Sequence, residues 1–162
     1  MEHKLILSGI IVLGCYLWGK IFSDTMRRRR DTLKALVSAI SEAESYVAAS
    51  VPVKEMYRRL SGKGEVGEMF GRMAESEEQN GEKLWASELS RLCITEEDKK
   101  PLWELSGMLG KTTSEHQKNA FEICLTALIK QLEAAEGKYE KEGALCRKLG
   151  VCAGLLISIF LI

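Results

Sequence analysis

Five cysteines and two histidines are the residues of this chain most able to hold a metal or attack a substrate, and their spacing limits what they can do. Cys15, Cys93, Cys124, Cys146 and Cys152 form no Cys-x-x-Cys pair, and His3 and His116 lie far apart, so no zinc site can be assembled at ligand spacing. Two of the cysteines sit inside apolar runs, where a reduced thiol packs as a small hydrophobe. His116 falls in the first turn of an expected helix, where the dipole disfavours a charged imidazole. No Gly-rich phosphate loop, no His-Glu-x-x-His and no completable Ser/His/Asp or Cys/His set occurs. The sequence therefore predicts no catalytic, cofactor-binding or metal residue, no small-molecule substrate and no enzyme.

One cluster does have the chemistry of a ligand site: Arg27, Arg28, Arg29 and Arg30. A guanidinium fork matches a phosphate oxygen pair, in a nucleic acid or in a lipid headgroup. The chain holds 23 basic and 23 acidic residues, so no net field draws it to nucleic acid, and the Arg run has no interleaved aromatic residues and no reading motif. A solvated helix face or anionic headgroups remain.

The neighbouring residues decide between them. Residues 5–22, LILSGIIVLGCYLWGKIF, carry a single charge, Lys20, near the end where its stem can snorkel. As a helix this run is about 27 Å long, close to a hydrocarbon core of roughly 30 Å. Tyr16 and Trp18 fall where an interfacial aromatic belt would form. The final residues, LGVCAGLLISIFLI (149–162), are wholly apolar, and Arg147 and Lys148 precede them. Positive charge beside a membrane helix tends to stay cytoplasmic. Both basic clusters lie toward the middle of the chain, so the middle is expected in the cytosol and both termini outside. A cleaved signal peptide would carry its charge before the apolar run. The lipobox-like VLGC (12–15) has bulky Leu13 where a small residue is usual.

The middle reads as helices throughout, with only two prolines and few β-branched runs. Leu33, Leu36, Ile40, Ala43 and Val47 form one stripe, and Pro52 marks its exit. Shorter helices are expected near 53–60 with Met56, Tyr57 and Leu60, near 65–80 with Val66, Met69, Phe70 and Met73, and near 81–93 with Leu84, Trp85, Leu89 and Leu92. Another starts after a Thr95 cap with Asp98 in its first turn, buries Leu102, Leu105 and Leu109, and ends at Gly110. Ser114 and Gln117 fit a capping box opening a long helix striped by Phe121, Leu125, Leu128, Leu132, Ala135 and Tyr139. The first helix leaves the bilayer and the last returns, so the two should pack antiparallel as a stalk that the short helices cap. Gly150 and Gly154 have the small-xxx-small spacing that lets membrane helices approach closely. The expected organisation is an N-terminal transmembrane helix over 1–23, an all-α bundle of about six helices over 24–144 and a C-terminal anchor over 145–162.

This order, with LGKTTSEHQ (109–117) and KLGVCAGLLISIFLI (148–162), resembles the stage III sporulation protein AB family of endospore-forming bacteria over nearly the whole chain. The most specific matches are Leu109, Gly110, Thr112 and Gln117, then Leu149, Gly150, Gly154, Leu155 and Leu156. Arg28-Arg29-Arg30 stands where the family tends to Arg-Pro-Arg, Val51-Pro52-Val53 where it tends to Thr-Pro-Leu, and Thr113 in place of an acidic cap. The resemblance implies a bundle like the cytoplasmic domain of the F-type platform protein of type II secretion machines. It further implies a place in the channel complex between mother cell and forespore, required for endospore formation. There the chain would sit in the mother-cell membrane with its central domain cytoplasmic. Its partners would be the other subunits, notably the secretion-type ATPase, stage III sporulation protein AA, along with membrane lipids, and no nucleic acid. The alternative is a stand-alone membrane-anchored adaptor or signalling module that recruits a cytosolic protein through its acidic helices.

Overall fold

The computed structural model describes residues 2–78, 80–109, 114–143, 145, 149 and 152, with no side chains described for 2–12 or 114. Every regular element among the described residues is a helix, and none is a strand. The helices are α1 (Glu2–Ala48), α2 (Val53–Leu60), α3 (Glu65–Glu75), α4 (Gly81–Leu89), α5 (Glu96–Met108) and α6 (Ser114–Lys138), continued by a π-helical turn at Tyr139–Gly143. The chain divides into two compact units. One comprises residues 1–30 with 134–162, the other residues 31–133.

In the second unit the stripes read from the sequence supply most of the core, although Val47, Leu84 and Leu109, also expected inside, are only half-buried. Leu33, Leu36, Ile40 and Ala43 of α1 are buried, as are Met56, Tyr57 and Leu60 of α2 and Val66, Met69, Phe70 and Met73 of α3. Two expected boundaries shift. α3 stops at Glu75, short of residue 80, because Ser76 turns extended and its N–H donates to the Arg72 carbonyl. α4 stops at Leu89, so buried Leu92 belongs to the turn that follows. Along α6 the buried line runs through Phe121, Cys124, Leu128 and Ala135, while Leu125 and Leu132 are half-buried.

The ends of the helices show why the chain turns where it does. α1 closes with the Val51 N–H on the Tyr46 carbonyl (3.0 Å) and the Ser50 N–H on the Val47 carbonyl (2.9 Å). This is a Schellman closure, and Ser50 takes the left-handed position at φ 57°. Pro52 then stands at the cap of α2. Asn80 caps α4, its Oδ1 accepting from the Glu82 and Lys83 N–H groups. Thr95 and Asp98 form a reciprocal capping box on α5, and Asp98 is fully buried in it. At α3, a Cβ on Gly67 would fall 2.7 Å from the Gly62 carbonyl group, so only glycine lets the preceding loop pass this close.

Pro101 lies inside α5, where it has no N–H for the Glu97 carbonyl one turn earlier. Gln131 of α6 supplies the missing donor, its Nε2 lying 2.7 Å from that oxygen. Burial, with a smaller contribution from the Glu104 charge, pushes the Cys124 thiol from 9.0 up to about 12. Among the described residues no helix is long and apolar enough to cross a membrane. Of the expected first span, residues 1–12 have no described side chains. Nearly all of the expected second span, 145–162, lies outside the described residues.

Candidate functional site

In the first unit, four consecutive arginines on a helix of 3.6 residues per turn must point around most of its circumference. Arg27 and Arg28 are exposed, whereas Arg29 and Arg30 are half-buried. The Arg30 guanidinium lies over the Tyr139 ring, 4.7 Å from its centroid. Burial of part of the run thus has a specific cause, a cation–π contact with the last helical segment.

Ser23 lies two helical turns before Arg30 on the same face, and it is buried. Its counterpart is Gly143: a Cβ there would come within 3.4 Å of the Ser23 hydroxyl and 3.2 Å of the Tyr139 ring. Residue 23 therefore meets residue 143 while residue 30 meets residue 139, which makes the two segments antiparallel. Tyr139 and Gly143 are the two ends of the π-helical turn. Lys138 and Glu142 pair loosely across it at 4.0 Å.

Just before the arginines, α1 leaves its large apolar side chains in the open: Leu13, Tyr16, Leu17, Trp18, Ile21 and Phe22. Trp18 is 79 % exposed. Among the described residues this is the densest run of exposed apolar side chains, and such runs mark surfaces covered by a membrane or a partner.

The second unit contains a different kind of site. Tyr57, Phe70 and Trp85 pack as a trio with centroids 5.9–6.4 Å apart. The buried Trp85 Nε1–H donates to the Tyr57 hydroxyl at 2.8 Å, and burial raises the Tyr57 phenol above its ordinary 10.0. Behind the trio, Glu88 is buried, and Arg72 donates to its Oε2 through both Nε (2.8 Å) and Nη2 (2.7 Å), tying α3 to α4. A groove of about 370 Å³ opens on this core, lined by Val53, Tyr57, Met73, Leu84, Trp85 and Leu109, with Lys54 and Glu78 as its charged members. Its lining is suited to holding an apolar segment. Among the described residues no three metal-ligating side chains converge.

The structure thus brings Arg30 together with Tyr139 and leaves Arg27 and Arg28 outward. Gln117 is half-buried in the first turn of α6. The Ser114 side chain, Gly110, Arg147, Lys148, Gly150 and Gly154 lie outside the described residues. Periodicity alone places Tyr139 in the stripe of the last helix and assigns it no partner. The span from residue 4 to residue 162 matches the family model described as stage III sporulation protein AB. No curated protein and no solved structure matches the chain.

Proposed function

The chain belongs to the stage III sporulation protein AB family and has a role in sporulation, and we propose that it fills this role as a membrane-held platform subunit of a secretion-like channel complex between mother cell and forespore. It would act there without catalysis, offering its helical bundle to the complex's cytosolic ATPase, stage III sporulation protein AA. The observation that carries this reading is the sequence of zones along α1. Exposed apolar side chains over 13–22 give way to the arginines at 27–30, and these to a stripe that is buried from Leu33 onward. A helix zoned in this order suits bilayer, headgroups and folded domain in turn.

The antiparallel meeting of Ser23 with Gly143 and Arg30 with Tyr139 adds to it. From the arginine level, the segment back to residue 23 and the segment on to residue 143 run in the same direction, which suits two anchors in a single membrane. In this reading 1–23 and 145–162 are the anchors, Arg147 and Lys148 repeat the headgroup contact, and Gly150 and Gly154 allow the anchors to pack. The domain 24–144 is cytoplasmic in the mother cell.

Affinity purification of the full-length chain from sporulating-cell membranes, in detergent, tests the assignment. Co-purification of the secretion-type ATPase is expected. Recovery of the chain without the ATPase, or of the chain from the soluble fraction without detergent, would count against it.

A further inference from the structure

Trp103 is the largest side chain that the second unit leaves in solvent. The residue is 54 % exposed, whereas Trp85 is buried at 1 %. α5 directs Pro101, Leu102, Leu105 and Ser106 inward, which leaves Trp103 and Glu104 on the opposite face. Among the described residues the Trp103 ring stacks on no aromatic ring and lies under no cation.

It borders a shallow groove of about 470 Å³ between α4 and α5, shared with Glu82, Lys83, Ala86 and Glu104. The Glu82 carboxylate lies against the last turn of α5, 3.8 Å from where a Cβ on Gly107 would stand. Two carboxylates thus line the groove against one ammonium. On α4 and α5 the exposed charges are Glu82, Glu96, Glu97 and Glu104 against Lys83 and Lys100, while Glu88 and Asp98 are buried.

We propose that this face docks a basic segment of a protein partner, seating an arginine on the Trp103 ring with its N–H groups on Glu82 and Glu104. An indole face attracts a guanidinium, and the planar fork can stack and donate to carboxylates at once, which a lysine cannot do as well. The same carboxylates repel anionic headgroups and nucleic acid. The inference needs neither the membrane anchors nor the ATPase, so its failure would leave the platform reading standing.

The test uses the full-length chain and a fluorescein-labelled Ala-rich helical peptide carrying two arginines one turn apart, followed by anisotropy. Saturable binding is expected, weakened at least about tenfold by Trp103→Ala and by Glu104→Lys. Glu122→Lys, an equal charge change on the exposed face of α6, should leave it nearly unchanged. A peptide with lysine for arginine should bind more weakly. Absence of saturable binding, or an equal loss with Glu122→Lys, overturns the proposal. So does an effect of Trp103→Ala confined to self-association in sedimentation, since the occupant would then be a second copy. Both side chains are exposed, and thermal melting of each variant verifies that the fold is intact.

Discussion

Gln131 compensates a backbone defect. The Glu97 carbonyl loses its helical donor to Pro101, and the Gln131 amide takes that place from another helix, leaving its own Oε1 buried with no partner among the described residues. Gln131→Ala should therefore cost about 1–2 kcal/mol in urea unfolding, the range for stranding a buried acceptor. In a Pro101→Ala background, where residue 101 again has an N–H to offer, the same change should cost less. Equal costs in both backgrounds would show that the amide has another role. Cys124 is the second residue whose surroundings set its behaviour. Its folded thiol, pushed up to about 12 from 9.0, binds a proton that the unfolded chain releases. Its contribution to stability is complete below about pH 9 and is lost as pH rises from there through about 12. Melting temperature should fall more steeply between pH 9 and 10.5 in the wild type than in Cys124→Ala; parallel curves would refute this.

At the scale of elements, the helix ends carry most of what a sequence can announce. The Thr95–Asp98 box and the turn before Pro52 were legible because capping depends on residues within four positions of one another. The α1 closure has one anomaly: Ser50, an ordinary L-residue, stands at φ 57° where glycine is favoured. Ser50→Gly should raise stability by about 1 kcal/mol, by relieving the Cβ–carbonyl clash of the left-handed region. An unchanged or lower unfolding midpoint would mean that the Ser50 side chain contributes something glycine lacks. The core trio was legible only in part. Periodicity put Tyr57, Phe70 and Trp85 inside, but the hydrogen bond from Trp85 to Tyr57 joins residues 28 apart in sequence, and no local pattern encodes it.

For the whole molecule, the topological role proposed for the arginines can be separated from the contact that Arg30 makes with Tyr139. Arg27, Arg28 and Arg29 can be replaced by Glu while Arg30 keeps its place over Tyr139. In that variant we expect protease added to intact cells to reach residues 24–148, which should stay protected in the wild type, because positive charge holds its side of a membrane helix in the cytoplasm. Unchanged protection would show that other features set the orientation. Arg30→Gln, by contrast, should leave protection intact and loosen the contact between the segments around residues 30 and 139.

Helical character, the buried stripes, the apolar ends and the position of the basic cluster were all determined by the sequence alone. Each depends on residues that repeat within a turn or two, and burial follows that period. The tertiary structure decided the pairings: Ser23 with Gly143, Arg30 with Tyr139, Arg72 with Glu88, and Gln131 with the carbonyl that Pro101 left open. It also decided which of three tryptophans the bundle would leave in water. These depend on which side chains distant segments bring within a few ångströms, which only the packed chain specifies.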